Sequence, residues 1–464
     1  MKQREVIVTL GACCAWLMVG CMSYTDQAAA IRYDYLQGDY EQALLKAEAK
    51  VERQGPKGAD ALVWQLERNT LLRLTGRFAE SEAAFEATRA LYAAYLDEAK
   101  ISLSREGLAL LSTPANLPYK GTGYDGIMLD TYQALNAMKL GDMDKARVCL
   151  VRSYLLQQEI VDEHARRIVK EQAAVREDEN LRQSMATNSL TMDASALEGI
   201  QTEMAAYADY VNPFTVYLDG IYHLAQANDA SDVERARKSL ERVNGFAPEN
   251  VTVQHDFAIA SAAIDKAAFP PTVYVVFETG LAAALESVRV DIPIMASRLS
   301  FVGIAFPKLV LNPEYVPCLH VKGATGEGYT TRVASMDAII AREYANNYAS
   351  MMTRAIASAV AKAVAAYAVN AAAEDNPWTQ LLSQVSTAAY QLATNIADTR
   401  SWQTLPKEFQ LFYLPMPNDR TVTLSTPDGV WAQDIIVDAG DIVVLYVRSL
   451  CDPAKTLVHQ FKLK

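Results

Sequence analysis

The segment FPPTVYVVFETG divides the chain into two parts with different hydrophobic patterns. Pro270 and Pro271 cannot continue a helix, and Val, Tyr, Phe and Thr crowd residues 272–278 directly after them. Apolar residues recur at helical spacing before this point, whereas short β-type runs follow it. We therefore predict an α+β protein in which a helical domain (21–267) precedes a β-rich domain (268–464).

A glycine followed two residues later by an apolar residue recurs in the helical part. The glycine permits the turn, the apolar residue wedges between two helices, and a small residue three positions further on allows close approach. This device is typical of tetratricopeptide repeats, although here its spacing departs from their regular period of about 34 residues. The copies are Gly38/Tyr40/Ala43, Gly76/Phe78/Ser81 and Gly141/Met143/Ala146, and a fourth partial copy has Ala236 and Pro248.

The run LLQQEIVDEHARRIVKEQAAVREDENLRQ (155–183) mixes charges of both signs within this array. Such a pattern predicts a long charged helix, which is either a bundle helix with a solvated face or a coiled-coil dimerisation arm.

The β-type runs of the second part are short and are separated by turn signals such as TPDG and DAGD, which favours an antiparallel sandwich or barrel. An Ala-rich segment at about 336–398 interrupts them and predicts an inserted helical hairpin. The predicted fold is thus a tetratricopeptide-like α-helical array followed by a β-sandwich-like domain with that insertion. The predicted strands cover 272–278, 288–294, 299–305, 409–414, 421–424, 434–437, 442–447 and 456–461.

Residues 1–20 have the layout of a bacterial signal peptide. Lys2 and Arg4 precede an apolar run that is shorter than the ~20 residues a spanning helix needs. The sequence MVGC ending at Cys21 resembles a lipobox, in which the cysteine is acylated and the peptide is cut before it. The alternatives are an ordinary cleaved export signal and an uncleaved anchor. Residue 22 is Met and not Asp, and in this respect the sequence resembles lipoproteins sorted to the outer membrane.

Under the lipoprotein interpretation the partner is a lipid bilayer, and the protein faces the periplasm from the bacterial outer membrane. Two or three acyl chains suffice for stable anchoring. A net charge of −12 argues against nucleic acid as a partner. The mature chain keeps Cys149, Cys318 and Cys451, of which Cys318 and Cys451 form a candidate disulfide in an oxidising compartment. Their spacing does not suit a zinc site, and no metal or other cofactor is expected.

The sequence shows no catalytic constellation. The histidines are scattered without a His-Glu-x-x-His pattern, and no Gly-x-Ser-x-Gly elbow occurs. The Gly-rich stretch VPCLHVKGATGEGYTTR lacks the Gly-Lys-Thr step of a phosphate-binding loop. Cys318 and His320 within it are a weak candidate for a nucleophile pair. We expect Asp398 and Arg400 to form a local ion pair, with Trp402 filling the core.

Two segments resemble a family of uncharacterised bacterial lipoproteins. They are GYDGIMLDTYQALNAMKLGDMDKARVCLVRS, with Tyr124, Asp125 and 134–138, and ADTRSWQTLPKEFQLFYLPMPNDRTVTL, which carries the "ADTRSW..LP" pattern. The resemblance implies a lipid anchor and a tetratricopeptide-like N-terminal half, and it implies no settled activity.

Two functional hypotheses follow. The first is a membrane-anchored, non-enzymatic scaffold whose helical groove binds an envelope protein or peptide. The alternative is a glycan- or peptidoglycan-binding or remodelling protein that uses its β domain, with Trp431 beside the TPDG turn as the candidate contact. A third possibility is a secretion or pore component in which the Ala-rich helices oligomerise. The oligomeric state is not predicted.

Overall fold

The computed structural model describes residues 24–101, 117–177, 211–296, 299–348, 351–352, 355 and 397–464. The protein is mixed α/β, with helices in the N-terminal half and strands arranged in sheets in the C-terminal half. The predicted order of helical and β-rich parts is therefore confirmed. Cys21 and most of the predicted Ala-rich hairpin lie outside the described residues, and residues 336–348 at its start are helical.

Helices that follow one another along the chain pack as neighbours. Within the described residues, no helix has the length and apolar character that crossing a membrane requires. The helices of the N-terminal half with described bounds are α1 Tyr24–Leu36, α2 Tyr40–Gln54, α3 Ala61–Leu74, α4 Phe78–Ile101, α5 Gly123–Leu140, α6 Met143–Glu177, α7 Pro213–Ala225, α8 Ala230–Phe246 and α9 Val251–Ala263.

The predicted glycine turns separate α1 from α2, α3 from α4, and α5 from α6. Gly38, Gly76 and Gly141 have φ values of 71°, 79° and 81°, which are strained for residues with a side chain. In each case the next helix begins two residues later, as predicted. A small residue lies three positions after the first residue of each of these helices. These small residues, Ala43, Ser81 and Ala146, are fully buried.

In the described part of the chain, the strands form three sheets. A five-stranded sheet has the order β11-β10-β1-β7-β6, a four-stranded sheet has the order β5-β4-β8-β9, and β2 pairs with β3. The strands are β1 Thr272–Thr279, β2 Ala284–Ala296, β3 Leu299–Val310, β4 His320–Gly323, β5 Gly326–Tyr329, β6 Thr331–Ser335, β7 Glu408–Pro415, β8 Thr421–Ser425, β9 Ala432–Ile436, β10 Ile442–Ser449 and β11 Leu457–Lys462.

The five-stranded sheet is mixed, which corrects the prediction of a purely antiparallel arrangement. Its central strands β1 and β10 run parallel, from Thr272 opposite Ile442 to Thr279 opposite Ser449. Both strands are buried along their whole length. Near-continuous apolar runs are typical of strands covered on both faces, so VYVVF and IVVLYV carried a signal for this central position.

Two cores cover the two faces of this sheet. Val273, Val275 and Phe277 of β1 belong to a core that is shared with the four-stranded sheet. Tyr274 and Val276, at the alternate positions of the same strand, belong to a larger core built mainly by the helices. The helices and the five-stranded sheet therefore share one hydrophobic core.

Strands β4 and β5 and the start of β6 lie in the Gly-rich stretch VPCLHVKGATGEGYTTR. Gly323 and Gly326 pair at the end of the β4–β5 hairpin. A Cβ at Gly328 would lie 2.5 Å from the ring of Phe412, so this glycine permits β5 to pack against β7. The glycines thus serve strand packing, and this stretch forms a hairpin instead of a phosphate-binding loop.

Candidate functional site

The helical groove, meaning the surface of α1, α3, α4 and α5 that faces the sheet, is filled by the protein's own chain. Residues 397–406, here called the inner segment, run through it. The indole of Trp402 is 1% exposed and lies 5.7 Å from the ring of Tyr132 and 6.2 Å from that of Phe85. Its Nε1–H donates to the hydroxyl of Thr70 over 3.0 Å. The prediction that Trp402 fills the core is confirmed.

Glu67 of α3 holds the backbone of the inner segment. Its carboxylate accepts hydrogen bonds from the backbone N–H groups of Gln403 (2.6 Å) and Thr404 (3.2 Å), and from the Tyr24 hydroxyl. Burial raises the pKa of Glu67 to about 7 although these bonds oppose the shift. On the other side, the Tyr35 hydroxyl donates to the carbonyl of Thr404.

Arg400 fixes the start of the inner segment. Its guanidinium donates to the carboxylate of Asp398 at 2.6 and 2.7 Å, which confirms the predicted ion pair. It also donates to the Asp60 carboxylate and to the carbonyls of Ala59 and Leu117. With its side chain 3% exposed, Arg400 joins the inner segment to the loops before α3 and α5.

Side chains of α1 and α3 thus hydrogen-bond to the backbone of the inner segment, which turns at residues 403–405. Since the segment belongs to the same protein, the groove is occupied in cis. This occupant was not predictable from the sequence, because Thr70 of the groove and Trp402 are 332 positions apart in the chain.

The folded body begins close to the predicted lipidation site. Tyr24 is 5% exposed and its ring lies 4.7 Å from that of Trp64. The Thr25 hydroxyl donates to the Leu285 carbonyl at 3.3 Å, at the base of the β2–β3 hairpin. The chain is thus fixed to the body three residues after Cys21.

The four-stranded sheet presents an exposed face with both aromatic and polar groups. We define the outer sheet face as His320, Lys322, Glu327, Tyr329, Thr423 and Asp434, which alternate with core residues such as Val321, Leu424 and Ile435. Tyr329 is 53% exposed, and its ring centroid lies 4.9 Å from that of His320.

A row of polar groups crosses the outer sheet face beside this ring pair. Glu327 lies opposite Lys322, Lys322 opposite Thr423, and Thr423 opposite Asp434. The Glu327 carboxylate is 3.6 Å from the Lys322 ammonium, and the Thr423 hydroxyl donates to Asp434 at 2.6 Å. The sequence signal for this face was the alternation of polar and apolar residues in HVKG and TVTLS.

Trp431, the predicted glycan contact, is half-buried and packs against the core between the two sheets. Its backbone N–H and carbonyl bond to Thr426 at the TPDG turn. Tyr329 is therefore the more exposed aromatic residue of this sheet.

The cysteines Cys149, Cys318 and Cys451 are free thiols in the structure. The backbone N–H of Val316 donates to the carbonyl of Leu450, so the segments that carry Cys318 and Cys451 are neighbours. Their pairing stays a prediction. Burial and the nearby Glu408 raise the pKa of the Cys318 thiol, which opposes the thiolate that a Cys318–His320 nucleophile pair needs.

Other buried carboxyl groups have structural partners. Asp256 accepts from the hydroxyls of Tyr217 (2.7 Å) and Tyr274 (2.5 Å), and burial raises its pKa to about 7. Burial likewise raises the pKa of Asp130 to about 6, against the effect of Arg89 and Arg152. The part of the chain that the structure describes contains no group of three or more His, Cys, Asp or Glu residues suited to a metal ion.

No family model matches the chain, and no curated protein matches it. The resemblance to a family of uncharacterised bacterial lipoproteins therefore stays a prediction.

Proposed function

We propose that the protein is a lipid-anchored scaffold of the bacterial envelope, without enzymatic activity, that presents binding surfaces close to a membrane. The signal-peptide layout and the MVGC sequence support this cellular location. Because Tyr24 is packed in the core, the chain from Cys21 to Tyr24 can span at most about 10 Å. Such a short connection gives the anchored protein a restricted position at the membrane.

The glycine turns and paired helices support a tetratricopeptide-like array, and the core shared by two sheets supports a sandwich-like β part. The observation that carries the scaffold proposal is the inner segment. Glu67 of α3 and Tyr35 of α1 make hydrogen bonds to backbone groups of this segment, so the array is suited to binding a peptide backbone through polar side chains. The inner segment occupies the groove that the sequence-based hypothesis assigned to the partner, so we propose that the partner binds elsewhere on the array.

Helix α6 offers an exposed surface for such a partner. Val148 and Leu155 are 55% and 57% exposed. They are seven positions apart on one helix and lie on the same face. Large apolar side chains exposed together are typical of protein interaction sites.

The scaffold proposal predicts that Leu155→Arg weakens capture of an envelope protein. Purified full-length protein is passed over a detergent-solubilised envelope extract, and bound proteins are identified by mass spectrometry. A specific partner retained by the wild type is expected to fall at least fivefold for Leu155→Arg, since a charge in an apolar contact costs more than about 1 kcal/mol.

Leu45→Arg is the matched control, because Leu45 on α2 is 55% exposed and its replacement adds the same charge. Capture that is the same for both variants, or no reproducible partner at all, contradicts a role for α6 in the scaffold.

A further prediction concerns the lipid anchor at Cys21. The mass of the native N-terminal peptide is expected to be that of an acylated Cys21, and the protein is expected in the membrane fraction. Cys21→Ser should abolish acylation, because the thiol that receives the lipid is gone. An intact Met1, or an unmodified N-terminus after cleavage, contradicts the lipoprotein assignment.

A second candidate function is glycan binding by the β part. It is favoured by the outer sheet face, where an exposed tyrosine lies beside a row of hydrogen-bonding groups.

A further inference from the structure

The outer sheet face combines one exposed aromatic surface with an ordered row of donors and acceptors. Tyr329 offers a ring with an apolar face and a polar hydroxyl. Such side chains are typical of binding surfaces where one end of the ring is covered and the other stays in contact with water. His320 supports this ring from the neighbouring strand at a centroid distance of 4.9 Å. A ligand that covers the ring gains apolar contact.

The polar row runs across the strands parallel to the ring pair. Neighbouring strands are about 4.8 Å apart, and two residues along a strand span about 7 Å. Glu327, Lys322, Thr423 and Asp434 therefore occupy successive positions about 7 Å from the ring row. The row provides acceptors at both ends and a hydroxyl and an ammonium group between them.

This combination suits a sugar chain. A pyranose ring has a face of C–H groups that packs on an aromatic ring and a rim of hydroxyl groups that need hydrogen-bond partners. The three charged groups of the row, Glu327, Lys322 and Asp434, sum to one negative charge, which disfavours a polyanionic ligand. A neutral or N-acetylated glycan strand fits this charge.

The same surface is poorly suited to a protein partner. The centre of a protein interface is depleted in charged residues and enriched in several large apolar or aromatic groups. Here the centre carries an ion pair between Lys322 and Glu327. The two large apolar or aromatic side chains that are more than half exposed on this face, Tyr329 and Ile436, lie on the opposite edge strands β5 and β9.

We propose that the outer sheet face is a glycan-binding site for a neutral or N-acetylated sugar strand, with Tyr329 as the stacking platform and the polar row as the hydroxyl-binding edge. This inference rests on the proposed envelope location, which would bring the site to cell-wall glycan. It replaces Trp431 by Tyr329 as the principal sugar contact.

The test is sedimentation of purified full-length protein with cell-wall sacculi. We expect the wild type to pellet and Tyr329→Ala to bind at least tenfold more weakly, since aromatic anchors dominate such contacts. Tyr329→Phe keeps the ring and should retain most of the binding. Tyr33→Ala is the matched control, because Tyr33 on α1 is 64% exposed and lies in the helical half.

Two forms of the ligand separate sugar from peptide. Soluble oligomers of N-acetylglucosamine, which carry neither a peptide nor a charge, should compete with sacculi for the wild type and should not change the residual binding of Tyr329→Ala. Binding that needs the peptides, that is equal for Tyr329→Ala and wild type, or that is absent overturns the proposal. Membrane fractionation and the N-terminal mass test the anchor separately, so failure of the glycan site is distinguishable from failure of the envelope address.

Discussion

Trp402→Ala is expected to lower the free energy of unfolding by about 3–5 kcal/mol, the range found for truncating a buried tryptophan. The indole fills the space between α4 and α5, against Phe85 and Tyr132, and it is 1% exposed. Its removal leaves a cavity in the helical groove, which the surrounding helices close only in part. The loss should appear in chemical denaturation followed by far-ultraviolet circular dichroism.

Hydrogen exchange gives this prediction a local readout. The backbone N–H groups of Gln403 and Thr404 donate to Glu67, so their protection reports whether the inner segment stays in the groove. Both amides should exchange faster in Trp402→Ala, by a larger factor than amides in the four-stranded sheet.

Two further variants control for the chemistry of the change. Trp402→Phe retains an aromatic ring but loses the Nε1–H bond to Thr70, and it should cost less than the alanine variant. Tyr33→Ala removes an exposed ring and should change stability by no more than about 0.5 kcal/mol. If Trp402→Ala costs as little as Tyr33→Ala, the inner segment does not stabilise the array.

Local features of the fold were predictable because their causes lie within a few residues. Gly38, Gly76 and Gly141 adopt a backbone conformation that favours glycine, and each is followed by a wedge residue and a small residue at fixed spacing. The strand runs of β1, β7 and β10 are rich in β-branched and aromatic residues, so their positions were also visible in the sequence.

Partners that are distant in the chain were not predictable from one sequence. The parallel pairing of β1 with β10 joins residues about 170 positions apart, and no local pattern specifies which strand lies beside which. The hairpin β4–β5 was missed because its strands have four residues each and contain three glycines, which weaken the strand signal. The inner segment in the groove was not predicted either, because its contacts also join residues that are distant in the chain.

The candidate sugar site shows a related limit. Trp431 was selected from its residue type and the nearby turn, yet burial depends on the facing sheet, which the sequence does not specify. Tyr329 ends the segment GEGY, which has two glycines and no clear strand pattern. Its exposed position on a sheet was therefore not predictable from the sequence.

The second large effect concerns an ion pair buried between the five-stranded sheet and the helices. Glu278 of β1 and Arg448 of β10 occupy paired positions in the parallel register, and each is 2% exposed. Arg448 Nε lies 3.8 Å from the Glu278 carboxylate, and its Nη2 donates to the Tyr35 hydroxyl at 2.9 Å. Glu278 also accepts a hydrogen bond from Tyr446.

Arg448→Met is expected to lower the free energy of unfolding by about 3–5 kcal/mol, because it leaves the Glu278 charge buried without its cation. Glu278→Met should have a similar effect through the unpaired guanidinium. The double variant removes both charges and should be more stable than either single variant, since replacing a complete buried pair with apolar groups is often nearly neutral. Urea denaturation of the wild type and the three variants gives the coupling free energy directly. A coupling near zero would contradict this account, because additive losses mean that Glu278 and Arg448 stabilise the sheet independently, through Tyr446 and Tyr35 instead of through each other.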